Sequence, residues 1–123
     1  MTEPGTDNLL ATVSLANAED SGVSALQAAK IQNSWATLGG RERAAILRQA
    51  ASILERDCES IAIVLVRESG SILPMAQMEV RESIELLHAA AAPAIAPRGE
   101  VLSNPPGRLS YARRVPRGVI GII

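Results

Sequence analysis

Aromatic residues are nearly missing from this 123-residue chain: one Trp, one Tyr and no Phe. Base-stacking platforms and aromatic cages are excluded as organising features. One cysteine excludes an internal disulfide, and no metal-ligand spacing surrounds it. The single histidine leaves no cluster for metal or relay chemistry. No run reaches the about 18 apolar residues that a membrane span needs. The start, Met1 to Asn8, is acidic and polar, without the basic and apolar regions of a signal peptide. The expected compartment is the cytoplasm. A net charge of −1 gives no overall drive toward nucleic acid or anionic lipid.

Ala, Ile, Leu and Val make up most of the apolar mass, which is 47% of the chain and suits closely packed helices. Charge is uneven. Residues 98–123 hold Arg98, Arg108, Arg113, Arg114 and Arg117 against Glu100 alone, which marks a change of architecture near residue 97.

Residues 1–21 form a polar N-terminal segment in which Leu9–Val13 suits a short edge strand. Ser21-Gly22 opens a helical pattern that Gly39-Gly40 closes, as glycine accommodates the left-handed C-terminal position. Ala44, Leu47, Ala51 and Leu54 then recur at helical spacing, with Ile46, Ala50 and Ile53 widening the stripe. Arg41, Glu42, Arg43, Arg48, Glu55 and Arg56 take the solvated face. Asp57 suits an N-cap. The run Ile61–Val66 reads as buried strand or buried helix; the cap before it and Gly70 after it favour helix. Ser71 and Pro74 suit the start of a further helix. It carries Val80, Ile84, Leu87 and Ala91 on one face, and Pro93 and Pro97 stop it. From Gly99 the period falls to two. Asn104-Pro105-Pro106-Gly107 turns a hairpin, and Gly118–Ile123 reads as a strand buried on both faces. A strand of that kind needs neighbours, so the expectation is the opening segment of something larger, with an aggregation-prone edge.

Candidate chemistry is sparse. His88 and Cys58 lack partners at ligand or relay spacing and read more readily as structural. Capping explains Asp57 and Glu59 better than paired acid–base work. Gly118 and Gly121 read as close backbone approach in a packed sheet, not as a phosphate cradle. Arg108, Arg113, Arg114 and Arg117, with Tyr111 alone among them, suit a solvated or intersubunit strand face better than a nucleic-acid surface. Met75 and Met78 read as packing. No catalytic residue and no metal ligand is expected.

Three segments, taken in order, resemble the N-terminal part of the aldehyde dehydrogenase superfamily over about residues 20–123. They are Gln32–Ala36 with Arg41–Arg48, then Val66–Ile72 with Pro74, then Tyr111–Ile123. The second and third look most like the benzaldehyde and vanillin dehydrogenase branch. The resemblance implies an α/β fold, of which this segment is mostly α-helical with a C-terminal hairpin and one buried strand. Residues 22–97 would be the helical part of a cofactor-binding domain, 98–117 a hairpin of the oligomerisation region, and 118–123 the first strand of the cofactor sheet. It also implies NAD or NADP as cofactor in a complete member, with Ile123 bordering the cofactor cleft. The family's thiolate nucleophile, water-activating glutamate and cofactor lysine match no position here, and Cys58 matches no catalytic position. The expectation is therefore a chain that is inactive alone and binds no cofactor alone. A second reading is a non-enzymatic module that self-associates or pairs with a full-length aldehyde dehydrogenase.

Overall fold

Alanine builds the core. Ala44 and Ala51 of α2 (Gly40–Arg56), Ala62 of α3 (Cys58–Ser69), and Ala76, Val80 and Ala91 of α4 (Leu73–Ile95) are the buried apolar residues. Side chains this small let helix backbones approach closely. The computed structural model describes residues 1–122. Both α2 and α3 pack on α4. Leu54, Ile61, Leu65, Val66 and Ile84 close around Ala62, Ala76 and Val80 at one end of this layer. At the other end α2 begins against the last turn of α4, where a Cβ on Gly40 would lie 2.2 Å from the Ala94 carbonyl oxygen. The two long helices therefore run antiparallel. The stripes expected on α2 and α4 are the ones that pack, with Leu47, Leu54, Ile84 and Leu87 half-buried. Ile46 and Ile53 instead stay 46% and 45% exposed, on a flank that nothing in the described residues covers.

The ambiguous run Ile61–Val66 is helical, within α3. Gly70 ends that helix at φ 74°, a left-handed position that glycine takes without a Cβ clash. Four local expectations are corrected. Gly39-Gly40 does not close α1 (Ala18–Thr37) but opens α2, and Gly39 has φ −59°. The pair is there for close approach to α4 and for a capping contact, in which the Glu42 carboxylate accepts the Gly39 N–H at 2.8 Å. The first helix begins three residues before Ser21. Asn17 Oδ1 accepts the N–H groups of Glu19 and Asp20 at 2.8 and 3.0 Å, and Asp20 accepts the Asn17 N–H in return. That reciprocal cap overrides the glycine at 22 as a start signal. Asp57 makes no side-chain cap, because Arg56 donates to both of its carboxylate oxygens at 2.8 and 2.6 Å. Pro93 lies inside α4, which runs on to Ile95 before Pro97. Proline's fixed φ is helical, and the missing N–H and the ring's clash with the preceding turn fall here within the last turn of the helix.

The hairpin forms as expected. β1 (Gly99–Leu102) and β2 (Ser110–Arg113) are antiparallel, with Val101 opposite Tyr111 and Leu102 opposite Ser110. Every residue of both strands is exposed. The buried strand expected from Gly118 is not formed over 118–122. Val119, Ile120 and Ile122 are 46%, 69% and 92% exposed. A sheet strand requires a ladder partner, and none of the described residues pairs with it. Ile123 lies outside the described residues.

Residues 1–11 form a small clip rather than an edge strand over Leu9–Val13. Thr2 bridges Leu9, and the Met1 amino group donates to the Ala11 carbonyl at 2.9 Å. The clip docks on the end of α3 through Arg67 Nε, which donates to Glu3 Oε1 at 2.9 Å. The Thr6 hydroxyl, and after it the Arg67 guanidinium, hold the Glu3 carboxyl below the usual carboxylate range. A depressed folded-state value stabilises the docked clip above the ordinary glutamate range and loses that effect as pH falls through the depressed value. Acidification is therefore expected to release the clip before the helices melt, followed through the NMR shifts of the Thr6 and Asp7 amides. Glu3→Gln is expected to show the released shifts at neutral pH as well. Identical amide shifts in both proteins across the acid range would contradict this docking.

Candidate functional site

Cys58 sits in the first turn of α3, half-buried, packed against the Ala62–Ala76–Val80 cluster. With Glu59, Gln77 and Arg81 it lines a recess of about 60 Å³, too small for an organic substrate. No histidine adjoins it; His88 lies exposed near the far end of α4. Among the described residues no group of three His, Cys, Asp or Glu side chains could hold a metal ion. Asp57 is engaged by Arg56, and Glu59 is exposed in the first turn of α3. Cys58 therefore has no histidine to activate it; the carboxylate that shares its recess is the exposed Glu59.

Gly118 and Gly121 do not mark close backbone approach: a Cβ on either would meet nothing within 4 Å. Gly118 is instead needed for its φ of +99°. Met75 and Met78 are 44% and 50% exposed rather than packed in the core. Tyr111 is 67% exposed on β2, and Arg108, Arg113 and Arg117 are exposed too.

Two larger concavities, which the spacing of residues did not single out, adjoin the hairpin's base. One, of about 360 Å³, is lined by Pro97, Gly99, Glu100, Ala112, Arg113 and Arg114. The other is an open cleft of about 330 Å³ where the last turn of α1, the first turn of α2, the end of α4 and the chain flanking the hairpin meet. Trp35 forms part of its wall, with Arg43, Arg98 and Arg114 around it and Pro97 and Pro116 between them. Arg43 was expected on the solvated face. It is half-buried, and its guanidinium donates to the Leu38 carbonyl that ends α1. The Arg114 N–H donates to the Arg98 carbonyl at 2.6 Å, which ties together the two chain segments at the hairpin's base. The excess of arginine over residues 98–123 was the available signal. Convergence with Arg43 depends on the hairpin's base meeting the ends of α1 and α4, which no local pattern encodes.

The aldehyde dehydrogenase family model matches residues 1–123. A vanillin dehydrogenase of Amycolatopsis is 41% identical over 121 residues, covering 98% of this chain and 25% of that protein. A benzaldehyde dehydrogenase (NAD+) of Pseudomonas putida is 37% identical, over 98% of this chain and 25% of its own. In the crystal structure of an NAD-dependent benzaldehyde dehydrogenase from Corynebacterium glutamicum the same fold recurs, with a TM-score of 0.79 and 30% identity over 88% of this chain and 24% of that one. The chain thus spans about a quarter of the length of the relatives it matches. Its helical layer and hairpin are a shared scaffold rather than a chance packing, and the chain belongs to the aldehyde dehydrogenase family.

Proposed function

We propose that this chain supplies scaffold, not catalytic groups, to an NAD(P)-dependent oxidation of an aldehyde to a carboxylate, and that alone it turns over no aldehyde. One observation carries the reading. The match to aldehyde dehydrogenases runs along the whole chain, yet the sole thiol, Cys58, is packed against the core in a recess too small for an organic substrate and without a histidine beside it.

The described residues do not fit a dinucleotide. Glycines that cradle a pyrophosphate open a helix and leave its N–H groups free for the anion. The glycine pair that opens a helix here, Gly39-Gly40, has its first N–H already taken by the Glu42 carboxylate. That negative charge opposes a phosphate at the same place. No step through a cofactor is therefore assigned to these residues.

A graft tests the scaffold role. This chain, put in place of the corresponding quarter of the Amycolatopsis vanillin dehydrogenase, is expected to give a soluble enzyme that still oxidises vanillin with NAD. A soluble chimera that binds NAD but has no turnover would count against it. The same reading puts the working protein in the cytoplasm, and no helix of the described residues is long and apolar enough to cross a membrane.

A second reading has its own support. The hairpin is two-stranded and exposed throughout, so each strand offers an unpaired edge. Strand addition to a full-length aldehyde dehydrogenase would use those edges. Co-purification with such an enzyme, abolished by Val101→Pro in β1, would favour that module over the scaffold.

A further inference from the structure

We propose that the cleft walled by Trp35, Arg43, Arg98 and Arg114 binds a small organic anion, with an oxyanion head on the arginines and a flat body against Trp35. Three arginines line this cleft from three separate parts of the chain: the first turn of α2, the residue before β1 and the residue after β2. No carboxylate lines it; Glu100 lines the adjoining cleft, which shares Arg114, and forms no ion pair there. Among the described residues there are two ion pairs, Arg56–Asp57 and Arg67–Glu3, and neither involves these arginines. Arginines that line one cleft without an ion-paired carboxylate give it a positive potential that favours an anion.

The geometry is partly fixed in advance. The Leu38 carbonyl holds the Arg43 guanidinium, and the backbone bond between Arg114 and Arg98 sets their chain segments side by side. A guanidinium presents a planar fork of donors that matches a carboxylate or a phosphate two bonds at a time. The size of the cleft argues for more than a bare inorganic ion, because about 330 Å³ lies at the lower end of small-molecule sites. Trp35, 44% exposed, supplies a flat face, and Pro97 and Pro116 supply apolar walls. This inference is independent of the scaffold role, since it uses neither the family match nor any catalytic group.

Trp35 is the sole tryptophan, so its fluorescence reports on the cleft directly. The test is a titration of the whole chain with phenyl phosphate, benzoate and inorganic phosphate in turn, at constant ionic strength. At least one organic anion is expected to change the emission saturably and to bind about tenfold more tightly than inorganic phosphate. Which of the two binds more tightly identifies the head as phosphate or carboxylate. Arg98→Gln with Arg114→Gln is expected to weaken that binding at least about tenfold, with unchanged helical circular dichroism. Arg108→Gln, outside the cleft, is expected to leave it unchanged. The proposal is overturned if no anion gives a saturable change, if inorganic phosphate binds equally well, or if the double variant binds like the parent.

Discussion

Gly40→Ala is expected to destabilise the chain by about 2 kcal/mol, the size typical of overpacking a close contact. Helix propensity predicts the opposite sign, since alanine is favoured over glycine by up to about 1 kcal/mol in a helix. The difference lies in what the new methyl would meet. A Cβ at residue 40 would stand 2.2 Å from the Ala94 carbonyl oxygen, 3.2 Å from its carbon and 3.6 Å from the Ile95 Cα. These are backbone atoms of α4 and cannot swing aside, so α2 and α4 must separate along the interface that holds most of the core. Gly39→Ala is the control. Its Cβ would meet the Glu42 Oε2 at 2.9 Å, the far end of a flexible side chain, and is expected to shift stability by less than about 1 kcal/mol. Urea midpoints of the two variants check the contrast, and a Gly40→Ala variant more stable than its parent would refute the packing described here.

Val80→Asp is expected to prevent folding. Val80 is 3% exposed, and the cluster around it is Ala62 and Ala76 with Leu54, Cys58, Ile61, Leu65, Val66 and Ile84, which offer a carboxylate nothing better than one weak thiol donor. An unpaired charge there carries a penalty beyond about 4 kcal/mol, a large share of the stability of any small domain. Val80→Ala, which removes two methyl groups without adding charge, is expected to lose about 2 kcal/mol and stay folded. Ile63→Asp, on the 53% exposed face of α3, is expected to change stability by no more than about 0.5 kcal/mol. The helical signal on heating separates the three. Equal midpoints for Val80→Asp and Ile63→Asp would show that the Ala62–Ala76–Val80 cluster is not the core.

Periodicity served well where burial is one-sided. The stripes Ala44–Leu47–Ala51–Leu54 and Val80–Ile84–Leu87–Ala91 face each other across the α2–α4 layer, and the sequence spacing follows that layer closely. Gly70 settled the ambiguous run, because a left-handed residue at 70 ends a helix and has no place in a strand ladder. Readings failed where two roles compete for one residue. Gly39-Gly40 carries the signature of a helix end, but its positions are dictated by Ala94, 54 residues further along. Asp57 has the chemistry of a cap, but its neighbour Arg56 holds both carboxylate oxygens.

The apolar run after Gly118 shows the same limit from the other direction. Its β-branched pattern states a preference, and a strand exists only where a second strand completes the ladder. Over 118–122 no described residue does so. The cationic cleft was half legible. Arginine excess from residue 98 was plain in the composition, but its meeting with Trp35 and Arg43 follows from tertiary placement of the hairpin's base. One thiol and one histidine, 30 positions apart, offered the sequence reading little to assemble into a site.

This chain carries the fold of an aldehyde dehydrogenase segment, and we propose that it lacks the groups that do the chemistry. The most direct test is NADH formation by the purified chain with benzaldehyde or vanillin as substrate, beside Cys58→Ser. No turnover above the buffer rate is expected in either protein, with the helical spectrum intact in both. Steady NADH formation by the parent chain, lost on Cys58→Ser, would contradict it.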